Sequence, residues 1–215
     1  MKEITQNYIT RFLEERPELK YLEQTLIDTI KLFVETAKNN KQILVCGNGG
    51  SSADSEHIAG ELLKSCTLKR KPPVELTNEL IDTYGEDGEM IASNIQMGIK
   101  CIPLVSFTAF NTAFSNDCNE KLTFAQLVNV LGNKDDIFFG ISTSGNSKNV
   151  CYGAQLAKLK GLKVVALTGD TGGKLKDYAD ILINAPSKIV YKIQEYHLPI
   201  YHLICLCVEN EVFDM

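Results

Sequence analysis

Apolar residues recur every three or four positions from about Ile4 to Lys38, at Tyr8, Ile9, Phe12 and Leu13 and then at Leu22, Leu26, Ile27, Ile30, Phe33 and Val34. That period predicts two amphipathic helices, broken at Arg16-Pro17, where proline removes a backbone donor and crowds the turn before it. Shorter, predominantly apolar runs follow at Ile43 to Cys46, Cys101 to Phe107, Asp136 to Ser142, Lys163 to Leu167 and Ile181 to Asn184. They read as strands buried on both faces, which show no polar alternation. Helical patterns separate them. One runs from Ala53 to about Ser65 with Ile58, Ala59, Leu62 and Leu63 on one face, and one centres on Phe124, Leu127, Val128 and Leu131 after a polar turn region. A third spans Asn146 to Lys160 and is closed by Gly161 as a C′ glycine. The last, Lys188 to Glu211, carries Pro199, whose ring is expected to kink it.

Strands alternating with helices imply a parallel sheet, so the fold class is α/β, a doubly wound parallel sheet flanked by helices. One domain is expected over residues 1–215, with the helical pair in 1–39 outside the sheet and suited to packing or subunit contact. The stretch from 67 to 100 is acidic in its middle (Glu75, Glu79, Asp82, Glu86, Asp87, Glu89) and predicts one or two helices over an exposed face, with Gly85 and Gly88 as breaks.

Two glycine- and hydroxyl-rich turns stand where strands give way to helices: CGNGGSS, Cys46 to Ser52, and ISTSGNS, Ile141 to Ser147. Glycine lets backbone N–H groups approach a ligand closely, and a helix N-terminus lined with hydroxyls favours an anion. Neither turn has the Gly-Lys-Ser/Thr of a nucleotide-binding P-loop or the GxGxxG of a dinucleotide fold, which points to a phosphorylated small molecule. Each alone also reads as an ordinary capped turn. The pair carries the inference.

Three histidines occur in the chain. His57 and Glu61, four apart, stack on one helical face roughly 6 Å from each other. Such a pair suits proton transfer or a divalent metal, although spacing alone reads more readily as a surface pair. Gln194, Glu195, His197 and His202 share the final helix. Gln194 and His202 are eight residues apart, about 12 Å along an ideal helix, so a common ligand requires a bend or a ligand lying between them. His197 reads as a partly buried or surface histidine.

A net charge of −5 gives no electrostatic support for nucleic-acid binding, and the basic run Lys69, Arg70, Lys71 reads as a solvated loop. Seven cysteines without a CxxC pair read as core thiols of a reducing cytoplasm. The polar N-terminus MKEITQNYIT is unlike a signal peptide, and no run approaches the roughly 20 apolar residues of a membrane span.

Taken together, GNGGSS, the HIAGEL that follows it, ISTSGNS, LTGDTGGKL and IQEYHLPIYH resemble the phosphoheptose isomerases of the sugar isomerase (SIS) domain group, in the family's order and over nearly the whole chain from Ile4. The resemblance implies a flavodoxin-like doubly wound sheet and a homotetramer with active sites between subunits. It also implies an aldose–ketose isomerase of heptose biosynthesis, taking sedoheptulose 7-phosphate to the heptose 7-phosphate through an enediol. By that resemblance Ser51, Ser142, Ser144 and Ser147, with Thr143 and Gly49 in the same loops, match phosphate-binding positions. Asn48 and Asp117 match sugar contacts. His57, Glu61, Gln194 and His202 match the ligands of one zinc ion per site, with Gln194 also among the substrate contacts, and Glu61 and His202 match the acid/base pair.

Three features depart from the family. Ser65 stands where an arginine is usual, Tyr191-Lys192 replaces an Asp-Arg pair, and the segment before Lys100 is longer. They leave open an isomerase of another sugar phosphate. A non-catalytic SIS-domain binding or regulatory protein is the further alternative, and the presence of both Glu61 and His202 speaks against it.

Overall fold

The computed structural model describes residues 1–213. Helix α1 (Glu3–Glu15) and helix α2 (Glu23–Lys38) are joined by a 3-10 turn at Pro17–Leu22. Five strands follow among the described residues: β1 (Ile43–Cys46), β2 (Cys101–Pro103), β3 (Ile137–Ser142), β4 (Lys163–Thr168) and β5 (Ile181–Asn184). They pair in parallel in the order β2-β1-β3-β4-β5. The connecting helices are α3 (Gly50–Leu63), α4 (Val74–Tyr84), α5 (Glu86–Asn94), α6 (Thr108–Phe114), α7 (Thr123–Leu131) and α8 (Lys148–Leu159), and α9 (Val190–Val212) ends the described chain.

Alternate strand residues feed two cores, as the period of two in a strand requires. Ile43, Val45, Ile137, Phe139, Val165 and Ile183 meet α1, α2, α3 and α9 on one face. Leu44, Phe138, Val164 and Ala166 meet α7 and α8 on the other. Phe33 of α2 packs edge-on against Phe139 with ring centroids 5.6 Å apart. Full burial of such side chains contributes about 1.5–3 kcal/mol each. The strands are buried on both sides, which is why they read as continuous apolar runs.

Several boundaries and environments differ from expectation. Strand β2 stops at Pro103 and turns into a 3-10 segment, Leu104–Ser106, because proline offers no N–H to a ladder and is tolerated here on an edge strand. Helix α3 starts at Gly50, ahead of Ala53, since Ser51 N donates to Asn48 O and Ser52 N to Gly49 O. The stretch expected as a polar turn forms α6 and a single π-helical turn, Ser115–Asn119. Helix α9 begins at Val190, two residues later than the pattern suggests, and carries Pro199 within it. The acidic segment does form two helices, and α4 buries none of its residues.

Arg70 is not solvated. Its side chain is fully buried, and its Nε donates to Glu209 Oε1 at 2.8 Å. Cys118 is exposed and Cys66 half-buried, while the other five cysteines sit in the core. No helix among the described residues is long and apolar enough to cross a membrane.

His197 is fully buried, with Nε2 3.1 Å from the Thr168 carbonyl and Nδ1 without a partner among the described residues. Burial lowers its pKa to about 4, against the opposing pull of the Thr168 carbonyl. An unfolded histidine titrates near 6.5, so the unfolded state binds more protons between these values. The stabilisation from neutral His197 is therefore complete above about pH 6.5, is lost as pH falls toward 4, and amounts to roughly 3 kcal/mol. Urea midpoints at pH 7.5 and 4.5 should fall more steeply for the wild type than for His197→Asn. Equal slopes would rule this titration out.

Candidate active site

Strand order places the site. The chain leaves β1 toward β2 on one side and returns to β3 on the other, so β1 and β3 are neighbours at a topological switch point, with Cys46 paired to Gly140. Loops beyond the C-terminal ends of such strands open a crevice for ligands. Both hydroxyl-rich turns lie there.

After β1 the chain reverses at Gly49, whose φ of +57° is a region side chains disfavour, and Ser51 is buried in the first turn of α3. After β3, Gly145 at φ +64° returns its N–H to the Ser142 carbonyl at 2.9 Å. A Cβ there would overlap the Gly172 carbonyl, so the loop after β4 buttresses this turn. Ser142 Oγ and Ser147 Oγ stand 3.0 Å apart, and Ser144 Oγ accepts from Asn146 N. Thr143 is half-buried in the same turn, and its carbonyl accepts from Gly169 N. Helix α8 begins at Lys148, and its first-turn amides have no acceptor within the helix. Two reciprocal amide bonds, 2.9 and 2.8 Å, tie Asn48 to Asn149 and so join the two turns.

A second group of polar side chains lies farther along α3. His57 Nε2 is 3.4 Å from Glu61 Oε1 and 3.4 Å from His202 Nε2. One donor atom from each of the three residues falls within 4.8 Å of the others. Two imidazoles and a carboxylate form a donor set suited to zinc or a similar divalent ion.

Their protonation states suit that use. The Cys66 thiol donates to Glu61 and, with Lys64, His57 and His202 nearby, holds its carboxyl below the usual range despite partial burial. Burial, then hydrogen bonding to Glu61, pushes Cys66 up to about 12, so it stays a thiol. Partial burial and the neighbouring His57 lower His202, with Glu61 opposing, and the ring is neutral at pH 7.

The remaining expected residues are placed differently. Gln194 packs its carboxamide on Gly50, where a Cβ would overlap it, seven residues ahead of His57 on α3. Asp117 is exposed on the π-helical turn and accepts from its neighbour Asn116 at 2.9 Å. Among the described residues no hydrogen bond joins it to either turn. Sequence alone did not single out Asn149, Cys66, Arg70 or Glu209. Glu209 follows His202 by seven residues on the same helix, a spacing that shares a face and was the available signal.

A SIS domain model matches residues 112–200. The chain also superposes on the phosphoheptose isomerase of Neisseria gonorrhoeae with a TM-score of 0.72 at 28% identity, covering 96% of this chain and 97% of that one. For the Francisella tularensis phosphoheptose isomerase the values are 0.71, 27%, 97% and 99%. The fold and its paired turns thus define a sugar isomerase domain protein. In sequence it is 37% identical over 195 residues to the phosphoheptose isomerase of Helicobacter pylori strain P12, covering 91% of this chain and 88% of the relative. It is 30% identical to that of Akkermansia muciniphila over 99% of both chains. The chain belongs to the phosphoheptose isomerase family, a family of aldose–ketose isomerases.

Arg70 and Glu209 hold the end of α3 that carries Glu61. Arg70 donates to the carbonyls of Leu62 at 2.7 Å and Glu61 at 3.1 Å. Glu209 accepts from Cys66 N, Thr67 N and Thr67 Oγ1, each at 2.8 Å. Burial would raise the Glu209 carboxyl, but hydrogen bonds from Thr67, Cys66 and Arg70 outweigh it and keep the group ionised. Arg70→Met leaves that carboxylate buried without its cation and should cost about 3–5 kcal/mol in denaturant unfolding. A loss under about 1 kcal/mol would show that the pair is dispensable.

Proposed function

We propose that the chain interconverts sedoheptulose 7-phosphate and the heptose 7-phosphate, with the phosphate at the paired turns and the reacting carbons at His57, Glu61 and His202. The observation that carries this reading is the spacing along α3. Ser51 stands in its first turn and the His57/Glu61 pair six to ten residues on, roughly 9–15 Å by helix rise. An extended seven-carbon phosphate spans roughly 10 Å from phosphorus to C1 and C2. Substrate length and helix spacing therefore agree. In this reading Ser51, Ser142, Thr143, Ser144 and Ser147 hold the phosphate beside Gly49, and Asn48, Gln194 and Asp117 contact the sugar.

Isomerisation moves one carbon-bound proton and one hydroxyl proton and needs no external oxidant. Glu61, held ionised, takes the proton from C1 of the ketose and returns it to C2 of the enediol. Neutral His202 passes the O1 proton to O2. His57, Glu61 and His202 would hold a zinc ion, with Gln194 the remaining ligand that the family resemblance implies. Zinc, when bound, polarises the carbonyl and hydroxyl oxygens.

The family resemblance implies a homotetramer with its sites between subunits, and the exposed apolar side chains of the α4–α5 hairpin, among them Val74, Tyr84 and Met90, offer surface for a subunit contact. Seven free thiols fit the reducing cytoplasm.

Glu61→Gln keeps a ligand oxygen but removes the base, so bound zinc should persist while turnover falls about 100-fold or more. Glu61→Ala should lose both. Deuterium exchange from solvent into a panel of ketose and aldose phosphates, read together with metal content, checks these outcomes. Exchange undiminished in Glu61→Gln would remove its acid/base role, and exchange confined to hexose phosphates would overturn the substrate.

A further inference from the structure

The side of His57 turned away from Glu61 and His202 is also engaged. Its Nδ1 lies 2.9 Å from the Tyr201 hydroxyl, and that hydroxyl donates toward Asp54 Oδ1 at 3.4 Å. Tyr201 is 1% exposed. The other Asp54 oxygen, Oδ2, is buried without a hydrogen-bond partner among the described residues. Asp54 precedes His57 by three residues on α3, and Tyr201 directly precedes His202 on α9, so the row is built from both helices. The Tyr201 ring also packs edge-on against both imidazoles, at centroid distances of 5.5 Å to His57 and 5.0 Å to His202.

We infer that Asp54 and Tyr201 are positioning residues that set the tautomer of His57, protonated on Nδ1 so that Nε2 offers its lone pair to the ion shared with Glu61 and His202. The inference rests on the metal reading given above and adds two residues to it. A hydroxyl has one proton to give. With a carboxylate on one side, that proton goes to Asp54, and the oxygen then presents lone pairs to Nδ1 and requires a donor there. Were the hydroxyl free to donate to Nδ1, the ring proton would sit on Nε2 and block the nitrogen that faces Glu61. Metal-binding histidines commonly donate the second ring N–H to a carboxylate or carbonyl. Here a tyrosine stands between imidazole and carboxylate.

Two conservative variants test this without requiring turnover. Tyr201→Phe keeps the ring and removes the acceptor. Asp54→Asn keeps the shape, but its NH2 can donate to the Tyr201 oxygen and release the phenolic proton toward Nδ1. Zinc affinity, measured by competition with a chromophoric chelator, should weaken about 10–100-fold in both. Proton–nitrogen correlation spectra of the zinc-loaded wild type should place the His57 ring proton on Nδ1. A purely packing role for Tyr201 would leave both variants at wild-type affinity, because Tyr201→Phe keeps the ring.

The inference is overturned by wild-type affinity in both variants, by weakening confined to Tyr201→Phe, or by a loaded wild type protonated on Nε2. Should circular dichroism show a variant unfolded, the wild-type spectrum alone decides. A wild-type chain that takes up no zinc overturns the metal reading and this inference with it. Zinc uptake by the wild type with any of the three results above overturns this inference alone.

Discussion

Helices α3 and α9 run side by side in the same direction, and the cluster of His57, Glu61 and His202 depends on that register. It is held at three levels. Gln194 rests on Gly50 at the start, Tyr201 and His202 meet His57 in the middle, and Glu209 receives the backbone just beyond α3 at the end. A shift of one residue along either helix turns a side chain by about 100° and carries it roughly 1.5 Å, enough to separate the imidazoles from the carboxylate. The buried ion pair at the far end resists that shift, because leaving Glu209 without Arg70 exposes a charge to an apolar interior.

The sheet supplies the other half of the geometry. Strands β1 and β3 are hydrogen-bonded neighbours that send their following helices to opposite faces, so two helix N-termini are brought to one crevice from different layers. Parallel strands force this. Each must return to the same end of the sheet before the next begins, and every strand's C-terminus therefore faces the same side. The hydroxyls of Ser51, Ser142 and Ser147 belong to a single rim because of that constraint, although some 90 residues of sequence separate the first from the others.

Much of this was legible in the residue pattern. The strand runs and the α3, α8 and α9 patterns were visible because burial on both faces and helical periodicity leave strong marks. Glycines at the turns announced themselves by composition. Other features left no such mark. Arg70 sits between two lysines, and nothing in that run distinguishes the one charge that meets a buried carboxylate from the two beside it. Pro103 shortened β2 through a missing donor, an effect that depends on its being an edge strand and so on tertiary context. The His57/Glu61 spacing was visible, but the approach of His202 depends on the packing of α9, which the family resemblance could imply and the spacing could not.

The amide pair between Asn48 and Asn149 fixes the orientation of both side chains. Each carboxamide offers two hydrogens and two lone pairs, and the mutual bonds consume one of each. Asn48 therefore keeps one hydrogen and one lone pair, both confined to the plane that its twin dictates. A hydroxyl approaching out of that plane finds no complementary dipole. The pair thus fixes the direction from which either carboxamide can take a further partner.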